Sequence, residues 1–150
     1  LPMISFVDTP GFMVGPDSEK EGAFRRMGEL FKHGARIKTP LVGIILRRGY
    51  GLGAMAMMGG SFVDPIYSAS WPNGEFGGMG LEGYVKLGFK KELEAEKTEE
   101  KKQALYNKLL AKMYEVGKAT EAASYLEMGA VINPVDTRAV IIKAFENFGA

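Results

Sequence analysis

The sequence predicts an α/β fold with a mostly parallel sheet. Short apolar runs of β character alternate with segments of helical period along the whole chain. The runs are closed by Asp, Asn, Pro and Gly turn signals. Glycine adds a third observation: 20 of 150 residues are Gly, about 13% against a usual ~7%. Half of them fall in the windows 49–60 and 74–83, beside apolar runs. Clustering of that kind marks backbone used as a working surface rather than disorder.

The elements follow in order. Residues 3–8 (MISFVD) read as a buried strand, ended by Asp8-Thr9-Pro10-Gly11. The apolar run is already in progress at residue 1, which predicts a strand entered midway and hence a fragment or a truncated reading frame. Ser18-Glu19-Lys20-Glu21 fits a capping box, so a helix is expected from about 19, with Phe24, Met27, Phe31 and Ala35 as its apolar stripe. Thr39-Pro40 ends it, and 41–46 (LVGIIL) form a second buried strand. Residues 47–53 read as a glycine-rich turn, 54–58 as a short apolar helix closed by Gly59-Gly60. A third strand is expected at 67–71, stopped by Pro72-Asn73-Gly74, and a helix over about 80–88.

Residues 90–102 carry ten charges and read as a solvated helical face, with Glu94–Lys97 and Glu99–Lys102 as i,i+3 pairs. Leu105, Leu109, Met113 and Val116 continue it as an amphipathic helix. A short helix at 120–128 and a short strand at 130–132 follow. Asn133-Pro134 is an N-cap with Pro at N1, opening a last helix to about 147.

Composition removes several function classes. Nineteen basic and eighteen acidic residues leave a net charge of +1, which gives no basic excess for a nucleic acid or a membrane surface. With no Cys there is no thiolate nucleophile and no Cys-ligated metal, and a single His excludes a multi-histidine site. No apolar stretch reaches the ~20 residues that span a bilayer. The compartment expected is the cytoplasm.

Side-chain nucleophilic catalysis finds little support. A Ser–His–Asp arrangement would have to use His33, which sits in the charged end of the first helix and reads as a surface residue. Gly51-Leu52-Gly53-Ala54-Met55-Ala56 fits G-x-G-x-x-A. The acidic ribose partner expected ~20 residues further on is missing, however, and four residues separate the strand from the first glycine. The alternative is an oxyanion hole. A strand turning sharply into a helix leaves unpaired backbone N–H groups at the helix start, and glycine lets a carbonyl come close. One such donor is worth ~3 kcal/mol to a developing oxyanion. The second donor is expected from the turn Asp8-Thr9-Pro10-Gly11-Phe12 at another strand end.

These residues carry a resemblance. Thr39-Pro40-Leu41 through Tyr50-Gly51-Leu52-Gly53-Ala54-Met55-Ala56-Met57 is similar to the second oxyanion-hole segment of the crotonase superfamily. In more detail the chain resembles the carboxyltransferase subunit of biotin-dependent acyl-CoA carboxylases. The matching pieces are FVDTPGF at 6–12, His33-Gly34-Ala35-Arg36, Arg48-Gly49-Tyr50-Gly51, Ser70-Trp71-Pro72, Met79-Gly80-Leu81-Glu82-Gly83 and Asn133-Pro134-Val135-Asp136-Thr137-Arg138, all in order.

The resemblance implies a crotonase-like β-β-α superhelix, present in part. Residues 1–150 would be the later part of one C-terminal carboxyltransferase domain. It implies acyl-CoA as substrate, biotin borne on a biotin carboxyl carrier protein, and a homo-oligomer whose site lies between halves of two subunits. The resemblance implies that carboxybiotin loses CO2, that backbone N–H groups hold the biotin enolate, and that the liberated biotin nitrogen takes the proton of the acyl-CoA α carbon, which then takes up the CO2. Carried onto this chain, the donors are the N–H groups of Phe12 and of Leu52 or Gly53. Gly11 shapes the first turn and Tyr50 and Gly51 the second, with Ala54 and Met55 beside the substrate. The chain departs from the family where Leu52-Gly53-Ala54-Met55 stands for the common Gly-Ala-Tyr-Asp, whose acid is linked to acyl selectivity, so the acyl group stays open. Asn133 stands for a common Asp, and Gly77-Gly78 for apolar residues.

Individual side chains keep two readings. Met55, Met57, Met58 and Met79 line a pocket or fill the core. Arg47 and Arg48 meet CoA phosphates or are solvated, and Trp71 is a packing or interface residue. Glu75 or Glu82 facing the same pocket as the Gly53 N–H would point to another crotonase-superfamily reaction, namely a hydratase, isomerase or decarboxylase. A third reading is a non-catalytic assembly module, with 90–128 packed on a partner.

Overall fold

A computed structural model describes residues 1–149. Strand β2 (Leu41–Tyr50) is the spine of a five-stranded sheet in which every ladder is parallel. One edge of β2 pairs with β1 (Met3–Thr9). The first half of β2 also pairs with β3 (Tyr67–Ser70), and its last three residues pair with β4 (Glu75–Gly77). β5 (Ala130–Val131) extends the sheet beyond β3.

The LVGIIL run is buried on both faces, as a central parallel strand must be. Val42 and Ile44 point to one side, with Ala69 and Ile141 of α8 (Thr137–Phe148). Ile45 points to the other side. There it meets Val7, Ala54 and Met58 from α3 (Gly51–Met57) and its cap, Phe76, and Ala119 and Ala122 of α7 (Ala119–Ser124). Met58 is fully buried and lies across Gly43, where any Cβ would strike its thioether. Trp71 is a packing residue: its indole N–H donates to Thr137 Oγ1 at 3.0 Å and ties β3 to α8.

Several expectations are corrected. β1 is an edge strand rather than a buried one; among its residues only Val7 is fully enclosed, and Met3, Ile4 and Phe6 remain partly exposed. The helix expected from about 19 is two helices, α1 (Pro16–Lys20) and α2 (Ala23–Gly34), with no capping box. Ser18 lies inside α1, and the left-handed Gly22 (φ 77°) separates the two.

The expected glycine-rich turn at 47–53 is largely strand, because β4 gives the end of β2 a pairing partner that the sequence did not reveal. The helix therefore begins at Gly51 rather than 54. The charged segment breaks after α5 (Lys90–Ala95), and α6 (Glu99–Val116) starts afresh on Thr98, whose side chain accepts from Lys101 N at 3.3 Å. Lys90–Glu94 replaces the expected Glu94–Lys97 pair, while Glu99–Lys102 forms as expected. A 3-10 turn over Pro134–Asp136 precedes α8.

The helix α4 (Leu81–Gly88) lies against α6, and Tyr114 donates to Glu82 Oε1 at 2.6 Å between them. That bond, reinforced by desolvation, pushes the Tyr114 hydroxyl up to about 12. The same bond, against the opposing effect of desolvation, holds the Glu82 carboxyl below its usual range.

Two predictions follow from this packing. Met58→Ala empties a filled site beneath β2 and lowers stability by about 2–5 kcal/mol in urea unfolding. Tyr114 has a raised pKa, so its contribution is full below the unfolded value of about 10 and is lost as pH rises toward about 12. Glu82 has a depressed pKa, so its contribution is lost as pH falls below the ordinary carboxylate value. Stability measured against pH should therefore slope less at both ends in Tyr114→Phe; an unchanged profile would show that the bond does not persist in solution.

Candidate active site

The site is built where β1 and β2 end side by side. Their ladder runs in register from Met3–Leu41 to Val7–Ile45 and then slips, so that Thr9 faces Gly49. Asp8 sits in the slip, and its Oδ1 accepts from Arg48 N at 3.1 Å and from Arg48 Nε at 2.7 Å. A side chain thus takes the ladder bond that the irregularity removed. The Arg48 guanidinium, hydrogen-bonded to Asp8, holds that carboxyl below the usual range. Arg48 is occupied by this pairing, and Arg47 lies 3.4 Å from Glu75.

Beyond Asp8 the chain turns. Gly11 N–H donates to Thr9 Oγ1 at 3.2 Å, and Gly11 adopts φ 100°, a conformation for glycine alone. A Cβ there would also stand 3.3 Å from the Tyr50 carbonyl oxygen. Phe12 is held by an edge-to-face contact with Phe31 of α2 at 6.3 Å. Its own N–H has no hydrogen-bond acceptor among the described residues.

The second turn begins at Tyr50, the N-cap of α3, which is 3% exposed. Its hydroxyl donates to Glu75 Oε2 at 2.7 Å. Burial, reinforced by the Glu75 carboxylate, pushes that hydroxyl above the ordinary phenol value. Gly51 follows with φ 58°, its missing Cβ leaving room for the Gly78 carbonyl oxygen, which would stand only 2.7 Å away. The N–H groups of a helix's first turn have no intrahelical partners, and at α3 no side chain caps them.

The two turns touch. A Cβ on Gly53 would lie 2.8 Å from both the Cα and the carbonyl carbon of Gly11 and 3.0 Å from Phe12 N. The backbones at 11–12 and 53 are therefore closer than any other residue at 53 allows. Of the residues singled out from the sequence, Gly11, Phe12, Tyr50, Gly51 and Gly53 come together here. The Leu52 side chain points to solvent, Met55 is half-buried, and Ala54 is fully buried in the core beneath the turn. Met57 is exposed, and His33 lies on the surface 3.7 Å from Glu29. The four-residue gap counted against a dinucleotide fingerprint is absent, since β2 leads straight into α3; the missing acid alone argues against it.

Beyond Gly78, whose carbonyl oxygen packs on Gly51, lies a cleft of about 380 Å³ that none of the turn residues lines; Phe76, Gly77, Gly78, Met79, Leu81 and Tyr84 form one side. Met113, Val116 and Gly117 of the α6 end, with Ala122, Tyr125 and Glu127, form the other side. Apart from Met79, sequence reasoning did not connect these residues with a site, because the two sides lie some forty positions apart and no local pattern links them. Glu75 and Glu82 are absent from the lining, each being engaged by a tyrosine hydroxyl.

Comparison with known proteins places the chain. The sequence profile of the carboxyl transferase domain matches residues 1–147. The chain is 30% identical over 147 residues to the biotin-dependent acetyl-/propionyl-coenzyme A carboxylase beta6 subunit of Mycobacterium bovis, covering 96% of this chain and 30% of that one. It is 29% identical over 158 residues to the methylmalonyl-CoA carboxyltransferase 12S subunit of Propionibacterium freudenreichii, covering 99% of this chain and 28% of the relative.

Among solved structures, a single-chain, multi-domain long-chain acyl-CoA carboxylase superposes with TM-score 0.82 at 52% identity, over 96% of this chain and 14% of that one. The hexameric transcarboxylase 12S structure superposes with TM-score 0.85 at 26% identity, over 99% of this chain and 28% of that one. The chain thus spans less than a third of the length of these relatives. The parallel sheet and its crossover helices are the crotonase-like fold expected from the resemblance, present in part. By sequence and by fold, the chain belongs to the carboxyl transferase domain family.

Proposed function

We propose that residues 1–150 are part of one C-terminal carboxyltransferase domain, whose site moves CO2 between carboxybiotin and an acyl-CoA. The reading rests on a single observation: the Phe12 N–H and the uncapped first turn of α3 meet at Gly53 across a gap that only glycine permits. Neutral backbone donors without partners suit an oxygen that becomes negative during reaction, because they need no proton and little reorganisation. When bound, carboxybiotin supplies the CO2 and leaves negative charge on its ureido oxygen. The donors for that oxygen are Phe12 N–H and Leu52 or Gly53 N–H. Gly11 and Gly51 set the two bends, and Tyr50, tethered to Glu75, fixes the start of α3. Ala54 supports the turn from the core, and Met55 stands where the substrate passes.

The partners in this reading are acyl-CoA, a biotin carboxyl carrier protein and further copies of the subunit, in the cytoplasm. Nucleic acid and membrane are not among the partners of this reading, in keeping with a net charge of +1. In a hydratase or isomerase reading Glu75 or Glu82 would face the Gly53 turn as a free carboxylate, and both are engaged by tyrosine hydroxyls; the carboxylate that lines the cleft is Glu127.

Titration calorimetry tests the reading. The chain should bind free biotin and an acyl-CoA independently, and Gly53→Ala should lose biotin binding at least tenfold. Its Cβ must also push the two turns apart, at about 1–3 kcal/mol of stability. Binding of acyl-CoA without biotin would favour another crotonase-superfamily reaction, and binding of neither, an assembly module.

A further inference from the structure

The cleft behind Gly78 is lined by neither glycine turn and has no part in the carboxyl-transfer reading. Its volume of about 380 Å³ falls within the range of small-molecule pockets. Met79, Met113 and Val116 give it hydrocarbon and thioether, and Phe76, Tyr84 and Tyr125 give it rings. Among the described residues the one charged side chain in the lining is Glu127. Its carboxylate forms no ion pair among those residues.

Charge is segregated around this cleft. Segments 75–85 and 119–128, which supply most of both walls, hold Glu75, Glu82, Glu121 and Glu127 and no basic residue. The whole chain is balanced, at nineteen basic to eighteen acidic residues, so the excess is local. Of these four acids only Glu75 has an ion-pair partner among the described residues, Arg47 at 3.4 Å. The bases that border the segments are committed elsewhere. Lys86, directly after the first, stands over the Tyr106 ring at 5.9 Å, and Lys118, directly before the second, pairs with Glu115 at 2.6 Å. Lys112, one turn before Val116, is outside the lining. An apolar hollow edged by one sign of charge concentrates the field and draws in the opposite charge.

The lip carries an independent mark. Leu126 adopts φ 60° and is the one non-glycine residue of positive φ among those described. That conformation crowds the leucine Cβ against its own backbone. Two backbone bonds hold it, Leu126 N–H to Ala123 O at 3.0 Å and Glu127 N–H to Ala122 O at 3.1 Å. The residues on either side of it, Tyr125 and Glu127, both line the cleft. Strain kept at such a place points to a use for the side chains it aims. A tyrosine ring and a carboxylate together suit an ammonium group, the ring through its negative face and the carboxylate through its charge.

We infer that the cleft is a binding site for a small organic cation, an ammonium group on an apolar body. The ammonium lies at Glu127 and Tyr125, and the body lies against Met79, Met113 and Phe76. An anion would meet Glu127 and the acids of both walls, and an uncharged ligand would gain the apolar walls alone. The site stands apart from the glycine turns, so it holds whether or not those turns take biotin.

The test uses the whole 150-residue chain and three probes of similar shape: phenethylammonium, phenethyl alcohol and phenylacetate. Methionine methyl resonances report binding. The cation should shift Met79 and Met113 together along one saturating curve, while Met13, outside the lining, stays still. It should bind about tenfold more tightly than the alcohol at low salt, with a margin that narrows as salt is added. Phenylacetate should bind no better than the alcohol. Glu127→Gln should weaken the cation roughly fivefold, as loss of one exposed carboxylate would, and leave the alcohol unchanged. Val116→Trp, which fills the cleft from an exposed position, should weaken both. Equal affinities for cation and alcohol, a preference that survives Glu127→Gln in full, tighter binding of phenylacetate, or unshifted Met79 and Met113 with all three probes would each overturn the assignment.

Discussion

The arrangement depends on one steric constraint, the absence of a Cβ at residue 53. The carbonyl carbon and Cα of Gly11 occupy the space a Cβ would need, so the first turn lies directly on the first helical turn of α3. Everything else at this end of the sheet serves that contact. A parallel pair of strands delivers two chain segments to the same edge pointing the same way, and here their ends differ by one irregular step. Asp8 fills the step by accepting from the backbone and side chain of Arg48, which keeps the two ends from sliding.

The end of β2 is fixed a second time from the opposite edge. β4 pairs with its last three residues, and Glu75 at the head of β4 receives the Tyr50 hydroxyl. β4 is in turn held by α7 and the α6 end, through Ala119 N–H to Gly74 O and Phe76 N–H to Gly117 O. This short strand therefore links the Tyr50–Gly51 turn on one side to the apolar cleft on the other. A displacement of α6 or α7 would reach Gly51 through only a few bonded groups. The glycine windows 49–60 and 74–83 are then a single structural feature, two backbones packed together, rather than two loops.

Much of this was legible before the fold was known, and for stated reasons. The LVGIIL run could only be a strand covered on both faces, and it is. The two glycine-containing turns were identified as a pair because each follows a strand, and they do meet. What the sequence hid was long-range pairing. β4 has three residues, too few for a period, so the end of β2 read as a turn instead of strand. Asp8 and Arg48 lie forty residues apart, and Tyr50 and Glu75 twenty-five, and neither pair leaves a local pattern. The capping box at Ser18 failed because the helix starts earlier, at Pro16 after Gly15, so Ser18 is already inside it, and left-handed Gly22 then divides the segment. The apolar cleft was invisible for the same reason: its walls come from β4, the loop after it and α4 on one side and from α6 and α7, remote in sequence, on the other.

The most direct measurement is the response of two backbone amides in an isotope-labelled sample of the chain. With biotin added, the amide protons of Phe12 and Gly53 should move downfield together along one binding curve, as two donors on one oxygen would. Movement of only one of them, or movement confined to residues remote from both turns, would contradict the account.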